Sequence, residues 1–328
     1  NMYAKGADVW IKPSLIDIAR FTKGGNLFGL SSQEYDQEII DKTIHYVLKN
    51  GIPDILTVYL MGVDHESHHH GPKSQYDHLV NVIDPMIGQL WGALQQTASH
   101  YQPFIGIFSD HGQIEVKADD KHSIRLAFPF EKEMGHLFTQ LGLDVHDFPG
   151  EDPNCDSVVA SNGGLAHVYL QNRITTWADK PRFEQDVLPV AQAFWEAHLD
   201  GKYAAELQGS LSAVLIRDVE KQGWDARYQA LTPSEELISL NEWFGKNTQA
   251  QQTDQINRLN NLVSPVVGDL LLISNYDDGF YFSAPATGVH GGLHPDDSFA
   301  TFFFGWPQEN KDKWNAVRSN IKQAVEKR

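Results

Sequence analysis

A mixed α/β fold, with a mainly parallel central sheet flanked by helices, is what this 328-residue sequence predicts. The first observation is a set of short apolar runs, Ile55–Met61, Phe104–Phe108 and Phe299–Phe304. They are rich in β-branched and aromatic residues and too short for independent helices, so they read as buried strands. The second is the long amphipathic pattern Tyr76–Thr97 between the first two runs. It carries Leu79, Ile83, Ile87, Leu90 and Leu94 on one face. The third is that Asp and His gather beside each run, where open α/β sheets place their ligands. Strand, helix, strand in that order predicts right-handed parallel crossovers.

In chain order, Ala7–Ile11 reads as a short strand, and Pro13-Ser14 opens a helical pattern that stops at Gly24-Gly25. Ser31 and Glu34 form a capping box before a helix Tyr35–Lys49, which Asn50-Gly51 ends. Next come the strand Ile55–Met61, a loop rich in Asp and His up to Gly71-Pro72, the long helix, and the strand through Phe108. A helix near Glu131–Leu141, the strand Gly164–Leu170, a helix Arg182–His198 and the strand Ser212–Ile216 follow. Residues 221–261 are polar and rich in Gln and Asn, and read as part of an inserted lobe. The core pattern returns with the strand Asp269–Ser274, a hairpin-like YDDGFYF, the strand Phe299–Phe304 and a terminal helix from Gln308. The expected division is a core of residues 1–175 and 265–328, with an inserted lobe at 176–264 that shapes specificity. No solenoid or propeller period is present.

Composition narrows the function. A net charge of −17 with no basic stripe argues against a general nucleic-acid binder. Cys155 is the single cysteine, which excludes an internal disulfide and a multi-cysteine zinc site. No apolar run approaches the ~20 residues that span a bilayer. The start at Asn1-Met2-Tyr3 shows no leader and suggests a processed end or an internal fragment.

The chemistry lies in three clusters. Asp64 and His68 sit four apart, and His290 arrives from another loop, in GVHGG. Together they can supply a carboxylate and two imidazoles, a set suited to Zn²⁺ with an open position for substrate. Asp110-His111, in SDHG, gives a second partial set. Two such sets on neighbouring strand ends suit a two-metal centre, with ions roughly 4 Å apart clamping a phosphoryl group. His294 competes with His290, and the His-Gly pair favours His290.

These residues resemble the alkaline phosphatase superfamily, most closely its type I phosphodiesterase/nucleotide pyrophosphatase-like branch. The resemblance rests on Asp64-x-x-x-His68 with Gly71-Pro72, on Ser109-Asp110-His111-Gly112, and on His290-Gly291-Gly292. Asp84, Gly88, Asn162-Gly163-Gly164 up to Tyr169, and Gly268-Asp269 also fit. It implies a hydrolase of phosphate esters using two divalent ions, zinc foremost, and a small phosphate-ester substrate. Asp64, His68 and His290 would hold one ion, Asp110 and His111 the other. It further implies a Ser or Thr nucleophile that forms a phospho-enzyme, and one more Asp. Both are expected upstream of residue 1, so the chain alone is expected to be impaired and to hold one ion better than the other. Ser14 is the candidate inside the chain, although a helix N-cap accounts for it. Many relatives suggest an extracytoplasmic location.

Three rival readings stand beside this one. A non-catalytic relative would keep the ligands and lack the nucleophile. Phosphonate or sulfate-ester hydrolases use similar ligand sets. His65-Glu66-Ser67-His68-His69 also satisfies the H-E-x-x-H pattern of zinc proteases, which requires a helix, whereas a loop is expected here. His65, His69 and His70 read as supporting or solvated groups.

Overall fold

The computed structural model describes residues 31–98, 103–126, 134–146, 154–245 and 254–305, with 315–316, 318–320 and 322–323. The expected strand Ala7–Ile11, the helix opened by Ser14 and most of the terminal helix lie outside the described residues. The described chain forms two compact units. One takes the residues before Ser67, Lys73–Asp110 and those from Thr301; the other takes Ser67–Pro72 and His111–Ala300.

The first unit is built on two helices. Helix Ser32–Asn50 starts at the expected capping box: the Ser31 hydroxyl accepts the Glu34 N–H, and the Glu34 carboxylate accepts the Ser31 N–H. It stops at Gly51, whose φ of 87° suits a residue without a Cβ. Its buried Ile40 and Val47 pack against Ile83, Met86, Leu90 and Leu94 of the long helix. That helix runs as Ser74–His78, a π turn Leu79–Ile83, then Asp84–Thr97. The π turn sits just before Pro85, which lacks an N–H and crowds the preceding turn, so the ladder widens there. A second π turn, Phe183–Val187, precedes Pro189 for the same reason.

Two expectations for this unit are corrected. Ile55–Met61 has no regular secondary structure and belongs to no ladder among the described residues. Leu56, Val58 and Leu60 pack on the helices while Ile55 and Tyr59 are 85% and 65% exposed. The alternation reports a half-buried pleated surface, which is what β-propensity measures, and pairing needs a partner as well. Strand Ile105–Phe108 pairs antiparallel with Phe302–Gly305, from Ile105 opposite Gly305 to Phe108 opposite Phe302. The crossover rule applies to successive parallel strands, and here the partner comes from far along the chain.

The second unit holds a seven-stranded sheet. Its spatial order is Val145–His146, Ser157–Asn162, Leu165–Leu170, Leu270–Ser274, Leu211–Ile216, Gln229–Leu231 and Leu237–Ile238. Only the first pair is parallel. The mixed α/β class holds, while the mainly parallel order does not. Gly163-Gly164 link two of these strands directly, and such a short link permits only a hairpin. Strand Leu211–Ile216, from within the expected lobe 176–264, pairs with Leu270–Ser274 in this same sheet. YDDGFYF forms a 3₁₀ turn, Tyr276–Asp278, followed by Phe280, Tyr281 and Phe282 in the core.

The sheet is buried on both faces. Leu270 and Leu272 join one apolar cluster with Phe138, Phe194 and Trp195 from helices Met134–Gln140 and Leu188–Asp200. Leu271 and Ile273 join another, with Leu240, Phe244 and Leu259 from helices Leu240–Phe244 and Gln255–Leu262. Two-sided burial explains why this strand reads as a continuous apolar run. No helix among the described residues is long and apolar enough to cross a membrane.

A buried charge ties this sheet to its loop. Arg217 is fully buried and donates to the carbonyls of Gly268, Val267, Trp224 and Ser264. Asp269 accepts the Leu170 N–H at 2.9 Å, and burial pushes its carboxyl up to about 6, against that bond and the Arg217 charge. The folded state therefore binds more protons than the unfolded chain between about pH 4 and pH 6, and this contribution to stability falls as pH rises across that window. Asp269→Asn abolishes the slope. The stability of the wild type minus that of the variant should fall by about 2 kcal/mol from pH 4 to pH 7, measured by urea unfolding.

Candidate metal centre

The residues between Gly62 and His70, expected as a loop, form a helix. Its sequence has little amphipathic character, and its start is held from outside. The buried Asp36 carboxylate accepts the N–H groups of Met61 at 2.9 Å and Gly62 at 2.8 Å, which serves as an N-cap supplied by another helix. Burial raises the Asp36 pKa, and the two N–H donors and His78 oppose that rise. Asp64 in the first turn and His68, His69 and His70 in the last suit the helix dipole. Gly71, with φ of 88°, and Pro72 stop the helix. The helical setting that H-E-x-x-H requires is thus present, contrary to expectation. No local signal could have revealed Asp36, because it acts on amides far along the chain.

Asp64 and Asp110 belong to the first unit, where both act on Tyr59. The Tyr59 hydroxyl is raised first by lost hydration, then by the charges of Asp110, Asp64 and Asp36, although the residue as a whole is well exposed. Three carboxylates therefore stand within electrostatic reach of one phenol.

His68, His111 and His290 belong to the second unit, which brings their rings together. The His290 ring stacks on His111 at 3.6 Å between centroids and 13° between planes, and lies 5.2 Å from the His68 ring. His68 Nδ1 is 2.7 Å from the Gly288 carbonyl, and His111 Nδ1 is 2.9 Å from the Gly112 carbonyl. A carbonyl only accepts, so each Nδ1 carries the proton and the lone pair falls on Nε2. Imidazoles held in this way are typical metal ligands, because the carbonyl fixes both tautomer and ring orientation. This donor set fits a divalent ion. The Thr287 N–H donates to the His68 carbonyl at 2.9 Å, and the Thr287 hydroxyl to the His69 carbonyl at 3.1 Å, which docks the end of the helix on the strand that precedes His290.

His294 stands apart from these rings. Its Nδ1 accepts the Asp296 N–H and caps helix Pro295–Ser298, while its ring packs edge-on to Tyr276 at 5.4 Å. His69 and His70 are exposed, with rings 6.4 Å apart. Ser14 lies outside the described residues.

The His290 loop rests on the turn between strands Ser157–Asn162 and Leu165–Leu170. The His290 carbonyl accepts the Gly164 N–H, and a Cβ on Gly163 would fall 1.9 Å from that carbonyl. Asn162-Gly163 between apolar segments is a hairpin signal in its own right, and it marks this support. Asp36→Ala is expected to cost about 2 kcal/mol or more, because it leaves two amide donors without their acceptor; urea unfolding measures the loss.

The sequence profile of the family described as type I phosphodiesterase / nucleotide pyrophosphatase matches residues 25–275. The match covers most of the chain and stops short of His290. The chain belongs to that family, within the alkaline phosphatase superfamily, whose members hydrolyse phosphate esters, and the membership implies an alkaline phosphatase-like fold.

Proposed function

We propose that this member of the type I phosphodiesterase family hydrolyses small phosphate esters, diesters or nucleotide pyrophosphates foremost, at a centre of two divalent ions. The observation that carries the reading is the cluster of His68, His111 and His290, two of them locked by carbonyls into the tautomer that offers Nε2. Asp64, one helical turn before His68, and Asp110, next to His111, are proposed as the carboxylate ligands. The proposed sets are Asp64, His68 and His290 for one ion, and Asp110 and His111 for the other. Zinc suits this mixture of imidazole and carboxylate.

When bound, such ions supply positive charge that polarises the phosphoryl oxygens. The chain's own residues do the rest. The Gly288 and Gly112 carbonyls accept the Nδ1 protons of His68 and His111, so each ring has a fixed orientation and presents Nε2. Helix Gly62–His70, anchored by Asp36, sets the direction of Asp64 and His68. A Ser or Thr is proposed as the attacking group; no described residue is assigned that role, and Ser14 is its candidate within the sequence. An extracytoplasmic location belongs to the same proposal.

The test is metal removal. Protein stripped with a chelator should lose hydrolysis of bis(4-nitrophenyl) phosphate and recover it with Zn²⁺. His68→Ala and His290→Ala should weaken Zn²⁺ binding about tenfold or more, measured by competition with a chromophoric chelator. Equal turnover with and without metal would exclude the reading.

A further inference from the structure

The loops that carry His111 and His290 share one buried residue that belongs to neither motif. Asp297 is 4% exposed, in the short helix Pro295–Ser298. Its Oδ2 accepts the Gly292 N–H at 2.7 Å, two residues beyond His290. Its main-chain carbonyl accepts the Gly112 N–H at 2.8 Å, one residue beyond His111. The Gly112 carbonyl in turn accepts the His111 Nδ1 proton. One residue thus fixes one imidazole through two consecutive hydrogen bonds and the loop of the other through its carboxylate.

The surroundings commit Asp297 to this arrangement. Its Oδ1 accepts the Ser298 hydroxyl at 3.2 Å, and that hydroxyl also accepts an N–H of Arg258 at 2.7 Å. A second N–H of Arg258 lies 3.4 Å from the Gly292 carbonyl, so the guanidinium spans the same loop. Gly112 sits so close to this helix that a Cβ would fall 1.9 Å from the Asp296 carbonyl. A buried carboxylate is costly unless its acceptors are used, and here they are used on the ligand loop rather than on a remote part of the core.

We infer that Asp297 is a positioning residue that sets the separation and orientation of the His111 and His290 rings for the bound ion. This rests on the proposal that those rings hold metal. A residue one bond removed from the ligands typically contributes 10- to 100-fold to metal affinity.

The experiment compares the wild type with Asp297→Asn and Asp297→Ala, using Co²⁺ as the probe. Affinity is read by chelator competition, coordination by the visible Co²⁺ spectrum, and folding by far-UV circular dichroism. Asp297→Asn keeps an acceptor for the Gly292 N–H and should bind Co²⁺ nearly as the wild type does, with the same spectrum. Asp297→Ala should bind about 10- to 100-fold more weakly, with a changed spectrum. Where Asp297→Ala does not fold, Gly292→Ala replaces it, since its Cβ would lie 2.9 Å from the Asp297 carboxylate. Wild-type affinity and spectrum in the folded Ala variant, or equal loss in Asn and Ala, would overturn the proposal. So would failure of both Ala variants to fold, which would make Asp297 a residue of stability alone. No Co²⁺ uptake by the wild type would remove the metal reading itself; uptake by wild type and Ala variant alike removes only the role of Asp297.

Discussion

The histidine cluster depends on main chain meeting main chain where no Cβ intervenes. Gly163 lies against the His290 carbonyl and Gly112 against the Asp296 carbonyl, each at a distance that any side chain would close. The first contact sets the His290 loop on a hairpin of the seven-stranded sheet. The second presses the residue after His111 against a helix only a few residues beyond His290. Loops alone would leave these rings to fluctuate, whereas a turn of a fully paired sheet is a rigid base for them. The two carbonyl–imidazole bonds complete the arrangement, because a correctly placed ring must also be held in one tautomer.

The buried charges follow the same logic. Asp36, Arg217, Asp269 and Asp297 are all buried, and each is bonded chiefly to backbone groups of a loop, a helix start or, for Asp269, a strand end. Burial of such groups costs stability even when they are well bonded, so they are poor evidence of a stronger fold. What they provide is a single loop conformation. Asp36 directs the helix that carries Asp64 and His68, and Asp297 holds the loop that carries His290. The fold accepts a cost in its interior and gains definition at its edge.

Readability from sequence followed the range of the interaction. The helix Ser32–Asn50 was legible to within three residues at its start and one at its end, since the Ser31–Glu34 box and Gly51 act within a turn of the helix. The apolar strand at 270–274 was legible because two-sided burial leaves a continuous run. Strand direction was not, because the partner of Ile105–Phe108 and the second partner of Leu165–Leu170 come from distant segments. The helix Gly62–His70 was missed since its cap, Asp36, sits on another element, and seven polar residues in succession, Asp64–His70, resemble a loop. Of the proposed ligands, the spacing pointed to all three histidines of the second unit. The residues that hold them, Gly288, Gly112 and Asp297, carried no local mark: a backbone carbonyl has no sequence signature, and Asp296-Asp297 looks like surface.

The stacking of His111 on His290 constrains what the cluster can hold. Two protonated imidazoles at 3.6 Å would repel by about 1 kcal/mol in water and about 4 kcal/mol in a partly buried setting. A ring whose Nδ1 proton is already committed to a carbonyl becomes a cation only by protonation of Nε2, which puts the charge on the ring. A divalent ion taken up by the same nitrogen would need that nitrogen's lone pair, and so a ring without a second proton. The stack is therefore better suited to rings without a second proton than to a pair of imidazolium ions. Two Nδ1 protons held by carbonyls and a close stack are both compatible with rings that offer Nε2, which is what the proposed function asks of them.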